Sequence, residues 1–168
     1  GYIEPQEIEA ARRDLDARTF RQEYEASFET VSNRVYYSFN RDTHDDRRDD
    51  LGDAPIVIGM DFNVQKMTAA IGHRIGKDHV HWFDEVVLRD SNTFEMAATL
   101  RAKYPGATVY PDPAGSARKT SSTRSDHAIL RENGFIVIAR RAHPPVKDRV
   151  NAVNSRFMSQ AGEMRMTI

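Results

Sequence analysis

Three carboxylates stand where an acid is costly to keep without a task. Asp61 ends the apolar run Ala54-Pro55-Ile56-Val57-Ile58-Gly59-Met60-Asp61-Phe62-Asn63, and Asp112 follows Val109-Tyr110-Pro111. Asp148 stands between Lys147 and Arg149. An acid at the end of a buried strand loses hydration, so its presence calls for an electrostatic reason. Acids that converge repel one another and resist joint ionisation, and a bound cation relieves the repulsion. The chain has no Cys and no evident His cluster, and hard oxygen ligands favour Mg²⁺ or Mn²⁺ over zinc. Two such ions about 4 Å apart can activate a water and stabilise the leaving oxygen of an in-line phosphoryl displacement. The three acids therefore point to phosphodiester chemistry, with Asp61 as the bridging ligand on the most rigid strand. Taken singly, each Asp reads as a turn or a cap. The case rests on three at compatible positions.

The elements around them must bring the acids together. Strands are expected at 55–62, 66–75 and 79–88, then a helix at 93–103 capped by Asn92 or Thr93. A strand at 107–111 leads into a Pro/Gly/Ser-rich loop at 112–124. A helix at 125–133 ends at Gly134, a strand follows at 135–139, and Pro144-Pro145 precedes a helix at 146–161. A last strand begins near residue 164. This order describes an α/β sheet with an antiparallel three-strand meander, a parallel remainder and flanking helices. Strands one and four can then be parallel neighbours, setting Asp61 and Asp112 side by side at one edge. Asp148 falls in the first turn of the last helix, where the macrodipole favours a carboxylate. Before the sheet, residues 5–29 read as helix with a break near Asp16, with Phe28 on its apolar face. Residues 34–39 are β-prone, and the polar run 40–50 reads as a solvated linker.

Composition bounds the reading. At 168 residues with net charge −1 the chain can bury one domain with some length left over. The first 50 residues hold 13 acids and 8 bases, and the remainder 12 and 16. The mildly basic second part suits a nucleic-acid partner without demonstrating one. The lack of Cys excludes disulfides and thiolate metal sites and suits a reducing cytosol. No stretch approaches the ~20 apolar residues of a membrane span, and the charged N-terminus is no signal peptide. The closing residues read as a strand cut off in progress, so a fragment of a longer chain is expected.

Several blocks resemble a known family. Gly59-Met60-Asp61-Phe62-Asn63 through Met67-Thr68-Ala69, Phe83-Asp84-Glu85, Tyr110-Pro111-Asp112-Pro113-Ala114-Gly115 and Val146-Lys147-Asp148-Arg149-Val150-Asn151 look like the C-terminal nuclease domain of tailed-phage terminase large subunits. The stretch Asp16–Tyr24 is similar to the segment by which those proteins leave their ATPase domain. The resemblance implies an RNase H-like (RuvC-like) fold over residues 51–168, truncated at its C-terminus, behind a helical and linker segment at 1–50. It implies metal-dependent endonucleolytic cutting of concatemeric viral DNA during packaging in the host bacterial cytoplasm. The implied partners are double-stranded DNA, the terminase small subunit and the portal, with no membrane. The family's first two acids map to Asp61 and Asp112, and its third to Asp148, with Asp126 as the rival. No Gly-x-x-x-x-Gly-Lys-Ser/Thr loop is present, so this stretch carries no ATPase site. Another RNase H-like nuclease of the junction-resolvase type, or a portal- or capsid-docking module whose acids are structural, are the alternatives.

Basic residues flank the acids in two clusters. Arg118, Lys119 and Arg124 lie on the loop after Asp112, and Arg140, Arg141, Lys147 and Arg149 surround Pro144-Pro145. Singly these are solvated surface. As clusters on the acid-bearing segments they would hold DNA phosphates in a salt-sensitive, sequence-independent way. His79 and His81 share a strand face, expected to be solvated because no third ligand is near in sequence. His127 and His143 lie closer to the acids, where they could assist proton transfer, bind phosphate or serve as caps. Trp82 and Phe83 are expected in the core, and Asp84 and Glu85 on the surface.

Overall fold

The computed structural model describes residues 3–27, 34–46, 51–63, 65–116 and 124–168. Contacts divide the chain into two compact units, residues 48–143 and residues 1–47 together with 144–168.

In the first of these units the apolar run folds as β1 (Ile56–Asp61), and the alternating stretches after it as β2 (Lys66–Ile75) and β3 (His79–Arg89). The three form the expected antiparallel meander. There follow α4 (Thr93–Lys103), β4 (Thr108–Pro111), a 3₁₀ turn at Pro113–Ser116, α5 (Asp126–Glu132) and β5 (Ile136–Val137). The strands β4 and β5 add in parallel on the far side of β1, giving the order β5-β4-β1-β2-β3. One sheet face carries Ile58, Met60, Met67, Ala69, Ile71, Val86 and Val109. These pack with Met96, Ala97 and Leu100 of α4 and Ile129 and Leu130 of α5. Fully burying such a side chain stabilises by roughly 1.5–3 kcal/mol. Asn92 caps α4 by accepting the Phe94 and Glu95 amides, and Ser125 caps α5 through the Ala128 amide. Gly134, at φ +89°, carries the chain out of α5. The strand expected at 135–139 shrinks to two residues because it lies at the sheet edge, with Ile136 and Ile138 more than half exposed.

A β-bulge changes three expectations. Ile71 pairs with Asp84 while Gly72 pairs with Trp82, so Phe83 drops out of the ladder. Phe83 is therefore no core residue: it is 40% exposed and stacks on His73 with ring centroids 4.5 Å apart. The half-buried Trp82 indole lies over Gly72 and Gly59, where a Cβ would meet it at 2.9 and 3.9 Å. Beyond the bulge the alternation is reversed, and His81 is buried at 2% exposure rather than solvated.

The other unit comprises α1 (Pro5–Asp14), α2 (Ala17–Tyr24), α3 (Arg41–His44), α6 (Val146–Phe157) and β6 (Met166–Thr167). The helical pattern breaks at Asp16 as expected, and Phe28 lies outside the described residues. Asp16 caps α2, accepting the Arg18 and Thr19 amides, and its Oδ1 also takes the Tyr37 hydroxyl at 2.8 Å. The β-prone segment 34–39 is not a strand. Its Val35 carbonyl and Ser38 amide are both bonded by the buried Asn154 side chain, which replaces a ladder partner. The polar run is not wholly a linker either. Residues 41–44 form α3, and His44, 1% exposed, accepts the Asn40 amide and donates from Nε2 to the Phe157 carbonyl at 2.7 Å. Residues 47–50 lie outside the described ones. The helix α6 stops at 157 rather than 161.

Burial, and then the bond to Asp16, push the Tyr37 hydroxyl up from 10.0 to about 12. A raised folded-state value gives stabilisation that is complete below pH 10 and lost as pH climbs towards 12. Tyr37→Phe should lower stability by about 1–3 kcal/mol at pH 7, because the buried Asp16 loses a donor. It should also flatten the decline between pH 10 and 12. Urea unfolding of both proteins at pH 7 and across that range checks it; identical curves would remove this account of the α2 anchor.

Candidate metal centre

The register of β1 on β4 sets the geometry. Met60 pairs with Pro111, and the Asp112 amide donates to the Met60 carbonyl at 3.0 Å. Asp61 and Asp112 thus follow paired residues of adjacent parallel strands, which run about 4.8 Å apart. The side-by-side placement expected of these two acids is present. Asp61 is exposed, and its carboxylate takes no hydrogen bond or ion pair among the described residues. Asp112 is half-buried: its Oδ1 accepts the Ala114 amide at 2.7 Å and lies 3.0 Å from His143 Nε2. Its second oxygen is uncommitted among the described residues. An unengaged carboxylate on a central strand beside a backbone-oriented one is an oxygen donor set that fits Mg²⁺ or Mn²⁺. Among the described residues no three His, Asp or Glu side chains gather into a metal-holding group.

The remaining acids occupy different settings. Asp148 is exposed in the first turn of α6, within the unit of residues 1–47 and 144–168. Asp126 is 9% exposed at the start of α5, and it accepts the Thr93 hydroxyl of α4 at 2.6 Å. That bond ties α5 to α4. Asp126→Asn should cost about 1 kcal/mol of stability while leaving any cutting within a few-fold of wild type; a loss as large as that of Asp61→Asn would make Asp126 a ligand instead. Asp84 takes the Tyr104 hydroxyl, the Glu85 amide and, at 3.7 Å, Lys103. The Tyr104 bond, chiefly, holds its carboxyl below the usual range, and burial raises Tyr104 to about 12.

Both of the histidines nearest the acids in sequence converge on Asp112. His127, 3% exposed, donates from Nε2 to the Asp112 carbonyl at 2.9 Å, and His143 meets the carboxylate. Beneath them lies a contact that sequence reasoning missed. A Cβ on Gly115 would come within 2.8 Å of Phe62 Cδ2 and 2.9 Å of His127 Cδ2, and nearer still to Phe62 Cε2. Gly115 is needed here for space rather than for its backbone angles. Its place at the end of Pro-Asp-Pro-Ala-Gly was the available signal.

Of the basic residues, Arg118 and Lys119 lie outside the described residues. Arg124 is exposed and bonds Glu132 at 2.7 Å. Arg140 and Arg141 are exposed in the segment leading to His143, and Lys147 and Arg149 are exposed in the first turns of α6. No helix among the described residues is long and apolar enough to cross a membrane.

No family model and no curated protein sequence matches the chain. Solved structures do. The large terminase of a thermophilic bacteriophage aligns over 98% of this chain and 41% of its own length, at 15% identity and TM-score 0.69. The same terminase in complex with ADP aligns over the same share of both, with TM-score 0.71. The nuclease domain of the P22 large terminase aligns over 81% of this chain and 73% of its own, at 9% identity and TM-score 0.60. The chain spans about two fifths of the length of the thermophilic phage's terminase. At such identities the likeness is one of fold: the mixed sheet with flanking helices is RNase H-like, of the kind found in phage large-terminase nuclease domains.

Proposed function

We propose that this chain is a metal-dependent DNA endonuclease domain of the phage packaging-terminase type. The observation that carries the reading is the placement of Asp61 and Asp112 at the same end of the parallel pair β1 and β4, within a nuclease-type fold. Asp61 and Asp112 would hold the ions, with Asp148 as the third ligand. Two Mg²⁺ or Mn²⁺ ions bound there would supply water activation and charge neutralisation at the scissile phosphate. The chain's own groups do the positioning. The Ala114 amide and His143 orient the Asp112 carboxylate, and His127 fixes its backbone. Asp61 keeps its oxygens free for ligation. Arg118, Lys119, Arg124, Arg140, Arg141, Lys147 and Arg149 would bind phosphates on either side of the cut.

By the same reading the substrate is concatemeric viral double-stranded DNA in the host bacterial cytoplasm, and the terminase small subunit and portal are partners of the longer protein. The test is nicking of supercoiled plasmid by the 168-residue chain. Cutting is expected in Mn²⁺ and none in EDTA. Equal rates with and without chelator would sink metal dependence. A marked preference for four-way junctions over linear duplex would move the chain to the resolvase class.

A further inference from the structure

Within the unit of residues 1–47 and 144–168, a cavity of about 290 Å³ opens between α2, the 34–37 segment and α6. Three cations from those three segments line it: Arg18, Arg34 and Lys147. Gln22 and Asn151 add side-chain amides, and no Asp or Glu is among its described lining residues. The Arg18 guanidinium lies 5.3 Å over the Tyr37 ring, which fixes the cation at the wall. The Tyr37 hydroxyl donates to Asp16, which is fully buried and is not among the lining residues. The 12-residue helix α6 begins at Pro145 with no side-chain cap, and its first turn borders the cavity through Lys147. That turn also carries Asp148, which is exposed and is not among the lining residues. Three cations of separate origin beside one space raise the local positive potential, which favours an anion there.

We propose that this cavity seats a phosphate of the DNA sugar–phosphate backbone. Arg18, Arg34 and Lys147 supply charge, and Gln22 and Asn151 supply hydrogen bonds. The assignment to DNA rests on the nuclease reading; the preference for a phosphate rests on the cavity alone. Its size falls just below the roughly 300–1,000 Å³ typical of sites that enclose a small molecule, and one face of its aromatic ring is covered by Arg18. It therefore suits a backbone phosphate better than a whole nucleotide. The site extends the DNA footprint to residues of α2 and the 34–37 segment, none of which lies in the basic clusters flanking the acids.

The test is fluorescence anisotropy of a labelled duplex of about 30 base pairs in EDTA, between about 50 and 200 mM KCl. It compares wild type with Lys147→Gln and with Arg18→Gln/Lys147→Gln. Each phosphate contact adds about −0.9 to the log–log salt slope. Both cations serve one phosphate, so the double variant should lose about one unit and the single variant no more than that, and the double variant's affinity should fall roughly threefold less over that range. Lys147 is exposed, so Lys147→Gln should keep the wild-type urea midpoint and guards against misreading an unfolded Arg18 variant. Unchanged slopes in folded variants overturn the proposal. A second arm titrates inorganic phosphate: if the variants lose phosphate binding yet keep the wild-type DNA slope, the cavity takes a free phosphate and the DNA assignment falls. Binding in EDTA does not depend on cutting, so a failure here and a failure of the endonuclease reading are separately visible.

Discussion

Asp61→Asn is expected to abolish plasmid nicking in Mn²⁺, with a loss of roughly a hundred- to a thousandfold or more, and to leave the fold intact. The amide keeps the shape of the side chain but removes the charge that a divalent ion needs at the end of β1. The Asp61 carboxylate takes no partner among the described residues, so the exchange should change stability by no more than about 0.5 kcal/mol in urea unfolding. A combination of lost activity and retained stability is what separates a ligand from a structural acid. If the variant nicks at the wild-type rate, Asp61 holds no catalytic metal.

Gly115→Ala is expected to be the most disruptive small substitution near the site. The added methyl would press on Phe62 and His127 at distances below 3.0 Å, and overpacking of this kind costs about 1–3 kcal/mol. The damage should not stop at stability. His127 holds the Asp112 carbonyl and the Gly115 amide donates back to the same carbonyl at 3.1 Å, so displacing either shifts the Asp112 carboxylate. Cutting should fall by at least about tenfold, since small misplacements of a catalytic group carry large penalties. Pairing Gly115→Ala with Phe62→Ala opens space for the methyl and should restore part of the activity. A single variant with wild-type stability and rate would show that the turn yields, and that Asp112 is not held as described.

How much of this was legible in the chain depends on how local the cause is. The meander, α4 with its Asn92 cap and the parallel placement of β1 and β4 follow from patterns within a few residues and from strand order. The convergence of His127 and His143 on Asp112 spans 15 and 31 positions, and no periodicity records it. The bulge that exposes Phe83 and buries His81 is a one-residue slip in a ladder whose alternation reads as continuous. Segment 34–39 has strand chemistry but no strand partner, because Asn154, more than 110 positions away, takes its backbone groups. His44 reads as part of a solvated run and is buried by its hydrogen bonds together with the Phe39 and Phe157 rings packed against it. Gly115 is a further case: its motif was visible, but the rings that require it to be glycine come from β1's end and α5.

Calorimetric titration with Mn²⁺ decides whether Asp61 and Asp112 together hold a divalent ion. Wild type should bind Mn²⁺ with millimolar affinity or tighter, and both Asp61→Asn and Asp112→Asn should lose that binding while remaining folded. No heat of binding in the wild type, or binding that survives Asp61→Asn unchanged, would contradict that joint ligation.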